Sequence, residues 1–387
     1  MATQWKKKQA LFCCIAKGTI AHKASSLTPI TSIAQETLDV SPQKVAESTS
    51  VYATAFSVQR KVYYDGSLFR AFLHDGANVV YYKSSDGITW ILDGTLWGYW
   101  YSRCGGTDII VDGSSIYATT LRYYWVSGSD YGYCVYFRSG TKNTSISWSS
   151  AVQIDKKSDF NVGGGMVKTS TGRLIIAWEA YYYVSSLRYS YSDDNGASWT
   201  TDDIASAVDV SDVLGGVALA LMSSGKCVCF VKDANLNLTC YIYDGSSWGS
   251  VIAVASGLKD GWGNYAVTSV GDVLHVVYVD SSDNLKYQKY DGSWASAVTL
   301  ATLASHPVIV VGGSGRLYVF YVKDGKIKLL KFNGVSWGSE ATLFPEHTYN
   351  NPAYLSSNQN VQNGQICLVW TEGTSTPYGI WFSTIGD

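Results

Sequence analysis

A short turn ending in tryptophan recurs six times, and its spacing constrains the fold more than any other feature of the chain. The copies close on Trp90, Trp148, Trp199, Trp248, Trp294 and Trp337, at intervals of 58, 51, 49, 46 and 43 residues. A unit of that length holds several strands but cannot bury an apolar face alone, so neighbouring copies must stack. Periods of about 40–50 residues with several strands each are the signature of a propeller blade.

The strands inside one copy can be read directly. Residues 265–270 and 273–279 flank a two-residue Gly271-Asp272 link suited to a hairpin; 285–290 and 294–300 follow after further turns. Four antiparallel strands make a blade, and residues 308–343 repeat the pattern. After Trp337 the chain supplies three more strands but no fourth. The strand-like residues 48–56, ahead of the first blade, are expected to fill that place and remove the open edge. The expectation is an all-β propeller of seven four-stranded blades, with six as the alternative. Composition agrees: 25 Asp against 6 Glu favours turns over helices, and 29 Tyr and 14 Trp favour strands.

Residues 192–199 read Ser-Asp-Asp-Asn-Gly-Ala-Ser-Trp, and residues 84–90 match with one residue fewer. This pattern resembles the Asp box, or bacterial neuraminidase repeat, of sialidase-like propellers, and the resemblance covers about residues 58–387. It implies a structural part for Asp86, Trp90, Asp194, Gly196, Trp199, Asp244, Trp248, Asp291, Trp294 and Trp337. In that family the box lies between the third and fourth strands, away from the catalytic face. The Asp accepts backbone N–H bonds, the Gly takes a positive φ and the Trp packs between blades.

A sialidase-like active site implies three arginines on a carboxylate, a Tyr–Glu pair and an Asp acid/base. The chain has eight arginines, none in the expected Arg-x-Pro context. Glu179 is the one Glu clearly inside a strand; with Arg173, Arg188 or Arg70 it is the weak catalytic candidate, and an outward-facing strand position is the simpler reading. Gly163-Gly164-Gly165 opens a strand and leads into no helix, so it reads as close packing near the axis. No metal-ligand or phosphate-loop spacing occurs, and no cofactor is expected.

In a propeller, turns between second and third strands share one face with the blade-to-blade connections. That face is expected to receive Trp97, Trp100, Tyr101, Arg103, Tyr131, Tyr133, Trp262, Tyr265, His306, His347 and Tyr349 as ligand-binding residues. Aromatic rings with Asp, Asn and Arg between them suit stacking on sugars or on a partner surface.

Residues 1–47 fall outside the repeat and read as an anchoring arm, with the propeller over 48–387. The basic residues 6–8 and apolar residues 10–16 make a poor signal peptide, because Lys17 interrupts and no cleavage site follows. No apolar run reaches the roughly 18 residues of a membrane span. A net charge of −2 with 16% charged residues argues against nucleic acid. Whether Cys229 and Cys240 form a disulfide across a hairpin is left open. The expected function is non-catalytic recognition of a host-surface glycan or protein receptor by a virion or extracellular surface protein. The arm would bind other structural proteins, and a homo-oligomer is compatible. A divergent sialidase-like exo-glycosidase and a purely structural packing module are the alternatives.

Overall fold

The computed structural model describes residues 39–98, 106–127, 130–155, 160–182, 184–206, 208 and 216–387, with backbone alone at 121–127, 130–133, 160–163, 181–182 and 184–185. Seven antiparallel sheets follow one another: residues 62–97, 107–153, 160–206, 218–255, 265–301, 305–342, and 353–386 joined by Val40–Ser48. Each is a blade of four strands, in sequence order in the first six; the second has its outer strand in two pieces, Ile146–Trp148 and Val152–Gln153, and the seventh takes Val40–Ser48 as its outer strand. Among the described residues the only helix is the 3-10 turn Gly313–Gly315. The protein is a seven-bladed β-propeller.

Both faces of a blade are covered by its neighbours, so the apolar residues form seven clusters, one between each adjacent pair of blades. The recurrent tryptophans tie those pairs together. Trp90 of blade 1 meets Phe382 of blade 7 at 4.7 Å, and Trp148 of blade 2 meets Tyr81 of blade 1 at 6.2 Å. Trp199, Trp248, Trp294 and Trp337 likewise reach Phe137, Tyr189, Phe230 and Tyr287 of the preceding blade. Edge-on aromatic pairs at such distances contribute about 0.5–1.5 kcal/mol each beyond their buried area.

The turns before these tryptophans hold themselves. Asp86 Oδ1 accepts the N–H groups of Ile88 and Thr89, each at 2.8 Å, and the Ser84 hydroxyl at 2.8 Å. Asp194 accepts the Ser198 N–H at 2.8 Å and the Ser192 hydroxyl at 2.7 Å. Asp244 and Asn333 each take two backbone N–H groups in the same way; no such bond is made by Asp291, whose turn closes on its own backbone. Gly196 sits at φ 90°, and a Cβ there would lie 2.0 Å from the Phe137 ring, so only glycine fits.

The ring closes through Val40–Ser48, paired antiparallel with Tyr378–Gly386. The strand therefore lies some eight residues before the expected 48–56. Its outer position explains why it was illegible: it borders solvent and carries Ser41, Pro42, Gln43 and Lys44. Pro42 falls at a register shift between Val40 and Gln43, where a missing N–H costs no ladder bond.

Residues 53–61 instead run through the centre of the ring and touch most blades. Thr54 donates to the Tyr354 carbonyl at 2.7 Å, Ser57 to Tyr265 at 2.8 Å, and Gln59 to Gly164 at 2.8 Å. Arg60 Nε donates to Asp108 at 2.9 Å, while Ser356 and Gln359 donate back to the carbonyls of Gln59 and Val58. Phe56 packs in the cluster of blades 4 and 5. The segment is a polar plug that satisfies exposed inner-strand carbonyls. The expected close packing at the glycine run is present: a Cβ on Gly165 would stand 2.9 Å from the Val217 carbonyl.

Cys229 faces Tyr241 in the ladder and Cys240 faces Phe230, which puts the two thiols on opposite faces of blade 4. Both are free and buried.

Candidate functional site

Two clusters form where second-to-third turns and blade connections meet. The first surrounds the top of the plug. Trp262 is stacked between Tyr52 at 4.5 Å and Phe56 at 4.8 Å, so both faces of its indole are covered. His306, at φ 51°, packs edge-on to Tyr354 at 4.7 Å, and its surroundings push its pKa down to about 4, through burial first and the charge of Lys259 second. Tyr265 is fully buried and donates to the Gly216 carbonyl; burial, above all, raises its pKa far above the usual phenol value. These expected residues do converge, but into packing.

The second cluster lies between blades 6 and 7 and stays open. Strand Gln365–Glu372 brings Trp370 and Glu372, two residues apart, to one face of blade 7. Trp381 and Lys44 continue the row from Trp370 across the blade, as direct ladder partners. Gly379 stands opposite Glu372 and has no side chain to cover it; a Cβ there would meet Trp381 Nε1 at 2.8 Å. The connection from blade 6 then lays His347 against this wall, edge-on to Tyr349 at 4.6 Å and to Trp381 at 4.8 Å.

Glu372 organises the cluster. Its Oε1 accepts the Trp370 indole N–H at 2.7 Å and lies 3.1 Å from His347 Nε2, and its Oε2 accepts the Asn350 N–H at 3.2 Å. Tyr349 donates to the Leu343 carbonyl, and burial, more than the nearby Glu372, raises its pKa. A cavity of about 340 Å³ opens beside them, lined by Lys44, Thr348, Asn350, Glu372, Ser375 and Trp381 among others. A wider hollow of about 590 Å³ lies on the far side of Thr348, with His347, Tyr349 and Asp324 in its wall. On the opposite face the axis ends in a cavity of about 260 Å³ that includes Arg60, Lys168, Ser269 and Asn360.

The remaining expected residues fall elsewhere. Trp97 is buried between blades 1 and 2, with the Arg138 guanidinium 4.9 Å over its ring. Trp100, Tyr101 and Arg103 lie outside the described residues, as do the side chains of Tyr131 and Tyr133.

The four catalytic candidates do not form one site. Arg70 is fully buried in blade 1 and bound to Asp65 at 3.0 Å and the Tyr63 hydroxyl at 3.2 Å. Arg173 pairs with Asp193 at 2.7 Å beside a third-to-fourth-strand turn, and Arg188 bridges Asp155 and Asp203. Glu179 does not face outward as expected: it is 1% exposed, because a second strand has blades on both sides. Neither carboxylate oxygen has a hydrogen-bond partner, and desolvation drives its pKa well up despite the opposing charge of Lys232. Among the described residues no group of three or more His, Cys, Asp or Glu gathers to hold a metal ion.

Sequence reasoning missed Glu372, Trp381, Lys44, Tyr52 and Phe56. The shared parity of Trp370 and Glu372 and the hairpin partner Trp381 were the local signals; Lys44, Tyr52 and Phe56 meet partners hundreds of residues away.

No protein-family profile matches the chain, and no curated protein matches it. Among solved structures it is similar to a polysaccharide lyase, an ulvan lyase, with a TM-score of 0.60, 10% identity, and coverage of 89% of this chain and 95% of that one. It is also similar to the Trypanosoma rangeli sialidase, with a TM-score of 0.52 and 13% identity over 91% of this chain and 60% of the sialidase. The chain thus spans less than two thirds of that enzyme's length. At these identities the likeness establishes the propeller fold.

Proposed function

We propose that the propeller is a recognition head for carbohydrate and holds its ligand in the cavity between blades 6 and 7. The meeting of Glu372 and Trp381 in its wall, with His347 behind them against both, carries this reading. An indole offers a flat apolar surface to the C–H face of a sugar ring, and an anchored carboxylate accepts its hydroxyls. The fold neighbours support it, one being named a sialidase and the other a polysaccharide lyase solved with a GlcA–Rha3S saccharide.

Recognition fits better than cleavage because Arg70, Arg173, Arg188 and Glu179 stand in separate environments, three of them closed by ion pairs. Presentation on a virion or other surface is part of the same proposal; its anchor is the sequence ahead of Val40, since residues 40–48 close the ring rather than extend the arm, and it requires the chain to appear in purified particles. The test of the binding claim is a glycan array probed with the full chain. Retention of at least one glycan, lost in Trp381→Ala while the fold persists, supports it. A folded chain that retains none refutes it.

A further inference from the structure

The charges around this cavity restrict what it can hold, an inference that rests on the reading above. Glu372 is 3% exposed and lines the cavity. A carboxylate offers about four acceptor positions, and the Trp370 indole, His347 Nε2 and the Asn350 amide lie against three of them. What remains open at the wall is acceptor capacity, which a ligand hydroxyl can fill by donating.

The surrounding cations are offset. Among the described residues Lys44 is the one Lys or Arg in the wall of the 340 Å³ cavity, and its ammonium lies 2.6 Å from Glu47. In the hollow beyond Thr348, Lys326 stands with Asp324 and Glu346. Among the described residues neither wall contains an arginine, the side chain suited to hold a carboxylate or sulfate by two parallel bonds. An anionic sugar placed there would find hydroxyl donors but would set its charge against a buried carboxylate.

We infer that the site selects uncharged, hydroxyl-donating saccharides over sialylated, uronate-bearing or sulfated ones. A neutral ring lays its C–H face on Trp381 and donates a hydroxyl to Glu372. Gly379, opposite Glu372, lets the Trp381 indole lie close over the backbone, where a Cβ would meet Nε1 at 2.8 Å.

The experiment uses the full 387-residue chain and immobilised glycans in matched pairs that differ only in a terminal sialic acid, uronate or sulfate. The neutral member of each pair should be retained about tenfold more strongly, a difference of about 1.4 kcal/mol. Glu372→Gln, nearly isosteric, should narrow that ratio by removing the repulsion; the wild-type ratio decides alone if this variant fails to fold. Equal retention, or preference for the charged member, overturns the selectivity and leaves carbohydrate recognition standing. Retention of no glycan by the folded chain overturns the recognition reading itself, and the selectivity with it.

Discussion

The ammonium of Lys61 donates to the side-chain oxygen of Gln59 at 2.9 Å, inside the plug and sealed from solvent. It also donates to the Thr107 carbonyl of blade 2 at 2.8 Å. Burial pulls its pKa down to about 7, with the charge of Asp108 opposing.

That depression fixes a sign for the pH dependence of stability. Between about 7 and 10.5 the unfolded chain holds the Lys61 proton and the folded chain releases it, so stability rises with pH across that window. Below about pH 7 both states are protonated and the cost of burying the charge is present in full. Lys61→Met removes this dependence. Its stability relative to wild type should fall by up to about 1.4 kcal/mol per pH unit from pH 7 to 10. Denaturant titrations of both proteins measure it, and parallel curves would refute it.

Glu179 carries the opposite sign. Its folded-state pKa is raised, so the protonated form suits the fold, and stability falls as pH climbs above the ordinary carboxylate value. Neither oxygen has a partner. Glu179→Leu should therefore stabilise the propeller at pH 8, by about 2 kcal/mol, with a smaller gain at pH 4.5. A loss of stability at pH 8 would show that the carboxyl serves a purpose that the apolar side chain cannot.

Asp86 tests the turns. Its pKa is depressed to about 2, first by the Thr89 and Ile88 N–H bonds and then by the Ser84 hydroxyl. The stabilisation exists above the unfolded carboxylate pKa and is lost as pH falls toward 2. Asp86→Ala should lower the melting temperature at pH 7 and converge with wild type near pH 2. A melting difference independent of pH would remove the carboxylate from the account.

What could be read from sequence depended on how far apart the interacting residues lie. The turns before Trp90, Trp199 and Trp248 are local: an Asp, a Gly and the next backbone N–H groups suffice, so their period revealed the blades. The closing strand Val40–Ser48 finds its partner more than 300 residues away, and solvent on one side masked its alternation. Only the start of the plug, residues 53–56, fell within the expected strand 48–56; the bonds that its polar residues make to inner-strand carbonyls have no local pattern. His347 and Tyr349 lie in the connection from blade 6 to blade 7, a position that topology alone gives. Glu372 and Trp381 were not found in this way, because the cavity is assembled from residues near 44, 348 and 375.

The two tryptophans on this face separate packing from recognition. Trp262 has both ring faces covered, by Tyr52 and Phe56, and belongs to the cluster between blades 4 and 5. Trp262→Ala removes a stacked ring from the top of the plug and should cost about 3 kcal/mol of stability, leaving glycan retention unchanged in molecules that stay folded. Trp381 is partly buried, as Trp262 is, but it lines the cavity and meets His347 edge-on with no ring stacked on it among the described residues, so Trp381→Ala should cost less stability while abolishing retention. Thermal melts paired with glycan-array binding on each variant measure the two effects. The reverse pattern, with retention lost at Trp262 and kept at Trp381, would move the ligand from the cavity between blades 6 and 7 to the axis.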